Sequence, residues 1–198
     1  MDYKIFEAIN GLAARNDVFE DWLRFFSVYS ELIFGVFLAA AFLAHGRWRS
    51  VSARHAVVAA VLASVVALEV AHVISGLWDR PRPFEAHGGV HLFVAASPDP
   101  SFPSDHATVA FAIAISVFLR SRRLGAVAVA MAALVALSRV VVGTHYPSDV
   151  VAGAVIGTLA ALVVWSPPIR RPLRLFSQRL SSFYDGLVAR VCGRSVPT

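Results

Sequence analysis

With 198 residues, 57% of them hydrophobic and only 16% charged, and a mean hydropathy of +0.64, the chain is too apolar for a soluble domain, where about half of residues are apolar and about a quarter charged. The net charge of +5 comes almost wholly from arginines clustered in short segments between apolar runs, which argues against nucleic acid as a partner and suits signals of membrane topology. Cys192 is the only cysteine, so an intramolecular disulfide and a cysteine-based metal cluster are both excluded.

The N-terminus lacks a basic stretch followed by an apolar core and a small-residue cleavage site, so no cleaved signal is expected. Residues 3 to 14 space Tyr3, Ile5, Phe6, Ile9 and Leu12 among polar residues, a pattern for a short helix lying in the interface. Five apolar runs follow, at about 22–44, 55–77, 105–120, 124–142 and 147–165, each near the length a bilayer requires. The expected fold is an all-α membrane bundle of about five transmembrane helices plus the N-terminal interfacial helix. Trp22, Trp48, Trp78 and Trp165 fall at or just beyond ends of these runs, where an interfacial belt would place them.

Three basic segments orient the bundle: Arg47, Arg49 and Arg54; Arg120, Arg122 and Arg123; and Arg170, Arg171 and Arg174. Short cytoplasmic loops are enriched in positive residues, so these three define the inner face. The outer face then carries the N-terminal segment, the loop 78–104 and the connection 143–146. Two units are expected: a membrane-integrated domain, 1–165, and a basic amphipathic cytoplasmic tail, 166–198. The tail opens with Pro167 and Pro168 and spaces Phe176, Leu180, Phe183 and Leu187 among arginines.

Three polar islands interrupt the apolar sequence, each at the outer end of a run, and polar groups at that depth are costly and usually functional. The first, Arg80-Pro81-Arg82-Pro83-Phe84, sets two guanidinium forks on a stiff backbone, and such forks match phosphate oxygens. The second, Ser101-Phe102-Pro103-Ser104-Asp105-His106-Ala107-Thr108, reads as a helix start with Ser104 as N-cap. It brings an anion-binding helix terminus and places His106 in the first turn as an acid or base. The third holds Ser138-Arg139 and then Thr144-His145-Tyr146-Pro147-Ser148-Asp149. His145 and Asp149 are four apart, so on a helix the carboxylate would hold one imidazole nitrogen and leave the other as a nucleophile. Zinc on two histidines and an aspartate is the rival chemistry; the surrounding positive charge favours a phosphate over a cation.

Within the second run, Glu69, His72 and Ser75 share one helix face, and a buried acid there should point into the bundle, most simply as a lock between helices, with substrate binding or proton transfer as the alternative. His87 and His91 read as surface histidines. Gly153 and Gly157 read as a helix-packing pair.

The order Arg-Pro, Pro-Ser-Asp-His, then Ser-Arg followed by His and Asp four residues on, resembles the type 2 phosphatidic acid phosphatase superfamily, and within it the bacitracin-resistance type of undecaprenyl-diphosphate phosphatase. The resemblance runs from Arg80 to Gly153. It implies that His145 attacks the terminal phosphorus to form phosphohistidine, that Asp149 orients it, and that His106 protonates the leaving lipid phosphate and then activates water. It assigns the phosphoryl oxygens to Arg82, Ser104 and Arg139, with Asp105 and Arg80 as further candidates. It also implies no cofactor and no metal, a polyprenyl diphosphate substrate, no obligate protein partner, and an extracytoplasmic site in a bacterial plasma membrane. Family members usually carry a lysine seven positions before Arg82; Ser75 stands there in this chain, a departure that bears on the substrate more than on the reaction. Phosphatidic acid or phosphatidylglycerophosphate hydrolysis, and a non-catalytic lipid transporter or binding protein of the same fold, are the alternatives; soluble haloperoxidases with a similar pocket are excluded by composition.

Overall fold

The computed structural model describes residues 1–43 and 51–191; Arg47, Trp48 and Arg49 of the first basic segment, and Cys192, lie outside the described residues. The described chain forms α1 (Asp2–Ala13), α2 (Asp17–Leu43), α3 (Val51–Leu77), α4 (Pro83–Ala86), α5 (Asp105–Arg120), α6 (Arg122–Val141), α7 (Pro147–Val164) and α8 (Pro167–Val191), with no strand among the described residues. Local chemistry sets the boundaries. Asn16 Oδ1 accepts from the Phe19 amide at 3.1 Å, capping α2. Proline occupies the first turn of both α4 and α7, where its missing N–H costs nothing.

By length and composition α2, α3 from Arg54, α6 and α7 can each cross a membrane. The remaining expected span is α5, whose 16 residues run from the α1 end of the bundle toward the opposite one; it is the centre of the bundle, packed chiefly against α7, α6 and α3. Small residues make that possible: Ala59, Ala63 and Ala67 of α3, Ala112 of α5 and Ala160 and Ala161 of α7 share one buried cluster. Gly153 and Gly157 form the packing face expected of them, since a Cβ at either would collide with the backbone of α5 at Ser104 or Thr108.

α1 lies across the end of the bundle where α3 and α6 finish and α5 and α7 begin. Phe6 is buried against Ala107, Val140 and Tyr146, while Ile5 and Leu12 face outward. Buried Asn10 donates to the carbonyls of His91 and Val141, both at 2.8 Å, and accepts from the His91 amide at 3.0 Å, tying α1 to the long loop and to α6. At the opposite end α8 docks on α3. Arg54, buried, donates to the Ser181 carbonyl at 3.3 Å and to Asp185 at 3.0 Å. His55 Nδ1 lies 3.2 Å from Ser177 Oγ. The serine face of α8 is thus turned inward, leaving Leu175, Phe176, Phe183 and Leu187 exposed.

Candidate active site

All three polar islands meet at the α1 end of the bundle. Asp149, in the first turn of α7, is fully buried and accepts from the Tyr146 amide at 2.8 Å, from Ser101 Oγ at 2.6 Å and from Arg80. Arg80 also reaches Asp2 at 2.7 Å and lies 3.9 Å above the Tyr146 ring. It is absent from the residues lining the cavity. Arg80, expected as a further phosphate ligand, is held by two carboxylates, Asp149 and Asp2.

Of the two helix N-termini at this end of the bundle, that of α7 is already occupied. Asp2 accepts from the Ser148 amide at 3.0 Å and from the Ser148 hydroxyl, so α1 supplies the anion that satisfies the α7 terminus. At α5, Ser104 is the N-cap residue, but its hydroxyl makes no capping bond and is buried without a partner. That hydroxyl and the first-turn amides of α5 remain for an anion.

His145 precedes α7 by two residues, so the helical spacing that would bring Asp149 onto its ring does not apply. Nδ1 stands 2.7 Å from the Ser101 carbonyl and 3.8 Å from Asp149 Oδ2. A carbonyl only accepts, so Nδ1 carries the proton and Nε2 carries the lone pair. Nε2 lies 3.3 Å from Arg82 Nη1. Burial first, then the Arg139 and Arg82 cations, push His145 down from 6.5 to about 4 against the pull of Asp149. The imidazole is therefore neutral near pH 7.

Arg82 is buried and held by the carbonyls of Asp99 at 2.7 Å and Thr144 at 3.2 Å. Burial lowers its guanidinium pKa, opposed first by the Asp99 charge. Arg139 donates to Ser27 Oγ at 2.6 Å, and its Nε is buried without a partner. His106 Nε2 is 3.7 Å from Glu31 of α2. His106, His145, Arg82 and Arg139 all line a cavity of about 820 Å³.

Asp105 also lines this cavity, 3.6 Å from His72 Nε2; its carboxylate faces an imidazole, and as an anion it cannot donate to phosphate. His72 and Ser75 line the cavity too, whereas Glu69 is exposed, so the expected inward-facing acid is corrected: the groups that line the cavity from that face are His72 and Ser75. His87 is not a free surface group, since it stacks on Tyr3 at 3.7 Å; His91 is exposed. Among the described residues no group of three or more His, Cys, Asp or Glu is placed to hold a metal ion.

Sequence reading missed Ser27, Ser30 and Glu31, although polar residues inside an apolar run are a usable signal. It assigned no role to Ser101, which supports both His145 and Asp149. For Asp2, distant in sequence from its partners, nothing local gave a sign.

A buried neutral histidine facing arginines, an open helix terminus and an unpartnered hydroxyl defines an oxyanion site suited to phosphoryl transfer inside a membrane bundle. Residues 53–171 match the PAP2 superfamily model, and the chain belongs to that superfamily; it is a membrane phosphatase. It is 33% identical over 191 residues, 96% of this chain and 91% of the relative, to undecaprenyl-diphosphatase BcrC of Bacillus subtilis (strain 168). It is 31% identical over 187 residues, 94% of this chain and 88% of the relative, to the bacitracin transport permease protein BcrC of Bacillus licheniformis. The crystal structure of LpxE from Aquifex aeolicus superposes with a TM-score of 0.67 over 82% of this chain and 93% of that one, at 24% identity, a likeness of fold.

Proposed function

We propose that this lipid phosphatase removes the terminal phosphate of undecaprenyl diphosphate, yielding undecaprenyl phosphate and inorganic phosphate through a phosphohistidine at His145, and so recycles a cell-wall lipid carrier. The observation that carries the reading is the Nδ1 hydrogen bond of His145 to the Ser101 carbonyl, which leaves Nε2 as a lone pair beside Arg82 in the cavity. Nε2 attacks the terminal phosphorus as the bond to the bridging oxygen breaks. His106 gives its proton to the leaving lipid phosphate. Water then attacks the phosphohistidine, His106 takes the water's proton, and phosphate leaves with His145 restored. Arg82, Arg139, Ser104 Oγ and the α5 amides hold the charge that develops on the equatorial oxygens.

A lipid substrate is supported by the cavity wall, which changes from polar to apolar in one direction on three helices. On α2 Glu31 is followed by Phe34 and Leu38, and on α5 His106 is followed by Val109 and Ile113. On α3, which runs the other way, Leu68 precedes His72. A head group at the polar end would leave its chain against the apolar one. The relative named undecaprenyl-diphosphatase supports the choice of chain. Residues 1–165 form the catalytic unit in this reading, and 166–198 a tail on the cytoplasmic leaflet. The basic segments at Arg54, Arg120 to Arg123 and Arg170 to Arg174 lie at the end away from the site, which supports an extracytoplasmic site in a bacterial plasma membrane.

The deciding experiment is phosphate release in detergent with chelator present, comparing undecaprenyl diphosphate with phosphatidic acid for wild type and His145→Ala. Preferential release from the diphosphate, lost in the variant, is expected. Better release from phosphatidic acid would replace the substrate. The permease name of one relative favours a second reading, lipid transport without chemistry, and release from neither lipid would select it.

A further inference from the structure

Of the three imidazoles lining the cavity, His106 and His145 have roles in the transfer and His72 has none. His72 comes from α3 and meets Asp105 of α5 across the cavity, Nε2 to Oδ2 3.6 Å, with both side chains about half exposed, 59% and 50%. Asp105 at that distance can orient the ring through Nε2, and an imidazole has two ring nitrogens, either of which can carry an N–H. In sequence His72 lies one helical turn from Ser75 on its polar side and about one turn from Leu68 on its apolar side, all three lining the cavity. It therefore stands between the polar end and the apolar wall.

With the transferred phosphoryl group against His145, Arg82 and Arg139, the next part of the substrate toward the apolar wall passes His72. In a diphosphate that part is a second, charged phosphate; in a monophosphate it is hydrocarbon. The other charged groups on this wall, Glu31, Asp99 and Asp105, are acidic and would repel a second phosphate. A donor that Asp105 holds in place offsets that repulsion. We propose that His72, positioned by Asp105 and assisted by Ser75, forms the subsite for the proximal phosphate of a lipid diphosphate and sets the preference for diphosphate over monophosphate. The inference rests on the diphosphate reading above.

The test compares farnesyl diphosphate with farnesyl monophosphate, which differ only in the second phosphate, on wild type, His72→Gln and His72→Lys in detergent. The diphosphate-to-monophosphate ratio of kcat/KM should fall roughly tenfold or more in His72→Gln, the size of one charge-assisted hydrogen bond, and recover in His72→Lys. An unchanged ratio, or equal losses on both substrates, overturns the subsite. A measurement without variants stands beside it: in wild type, methylene diphosphonate should protect His72 from carbethoxylation, read by mass spectrometry, and orthophosphate should not. Protection by neither or by both equally overturns the subsite. A wild type that releases no phosphate from the diphosphate overturns the functional reading itself, and this is seen before any variant is made.

Discussion

Asp149 and His145 share no direct hydrogen bond: Asp149 Oδ2 stands 3.8 Å from Nδ1, and the Ser101 carbonyl occupies that nitrogen at 2.7 Å. The carboxylate instead grips the Ser101 hydroxyl at 2.6 Å, so its hold on the ring passes through the serine. Arg80 in turn binds the carboxylate from the far side. Removing the charge while keeping the shape, Asp149→Asn, should lower kcat by about 10- to 100-fold, the range for loss of an orienting partner, with a smaller change in KM. Steady-state kinetics on the same lipid would check this, and a change confined to KM would remove Asp149 from the positioning role.

Two-step chemistry makes a trapping prediction. His106→Ala should slow release and let a phosphorylated enzyme accumulate when the leaving group is good enough to depart unprotonated, for example p-nitrophenol. Acid-labile, base-stable phosphate on the peptide containing His145 is expected by mass spectrometry, and His145→Ala should show none. Phosphate found on a serine would reject histidine as nucleophile.

The lowered pKa of His145, about 4, has a definite sign. The neutral ring is the nucleophile, so the loss of kcat/KM that its protonation causes should come as pH drops through about 4 rather than 6.5. Folding stability follows the same group. The unfolded chain takes up the proton near 6.5 and the folded one only near 4, so the stability held at neutral pH is lost as pH falls across that window. Arg82→Gln removes one cation that holds the ring down and should move the acid limb upward, a shift read directly from a pH profile.

Helix contact at Gly157 is tight enough that a side chain must displace the backbone of α5 at Thr108 and Ala112. Gly157→Val should destabilise the bundle by about 3 kcal/mol or more, seen as a lower Tm in detergent. Gly186→Ala in α8, where a Cβ meets nothing within 4 Å, should leave Tm unchanged or slightly raised.

Ser104→Ala tests the unpartnered hydroxyl. Because Ser104 Oγ makes no hydrogen bond in the described structure, its loss should cost little stability, while kcat/KM falls about tenfold if the hydroxyl binds the phosphoryl group. Unchanged kinetics would remove the Ser104 hydroxyl from phosphoryl binding.

The helices were legible because bilayer thickness and apolar run length are coupled: 147–165 was expected and Pro147–Val164 is found, 105–120 was expected and Asp105–Arg120 is found. The burial of α5 was not, since its apolar length alone cannot distinguish a lipid-facing helix from a central one. Residues Arg82, Ser104, His106, Arg139 and His145 could be singled out because polar groups are rare in such a sequence. What each of them touches could not.

Composition, run length and the order of three polar motifs thus determined by themselves that this chain is a helical membrane protein with a phosphate-seeking site at one end. These are properties of single segments and of their spacing. Tertiary structure alone decided that Asp2 satisfies the α7 terminus, that Arg80 pairs with Asp149 and Asp2, that Ser101 sets the tautomer of His145, and that His72 rather than Glu69 faces the cavity. Each of those outcomes is a competition for one hydrogen bond or one charge between residues as much as 146 positions apart, and such a competition is settled only when packing brings the rivals within about 3 Å of each other.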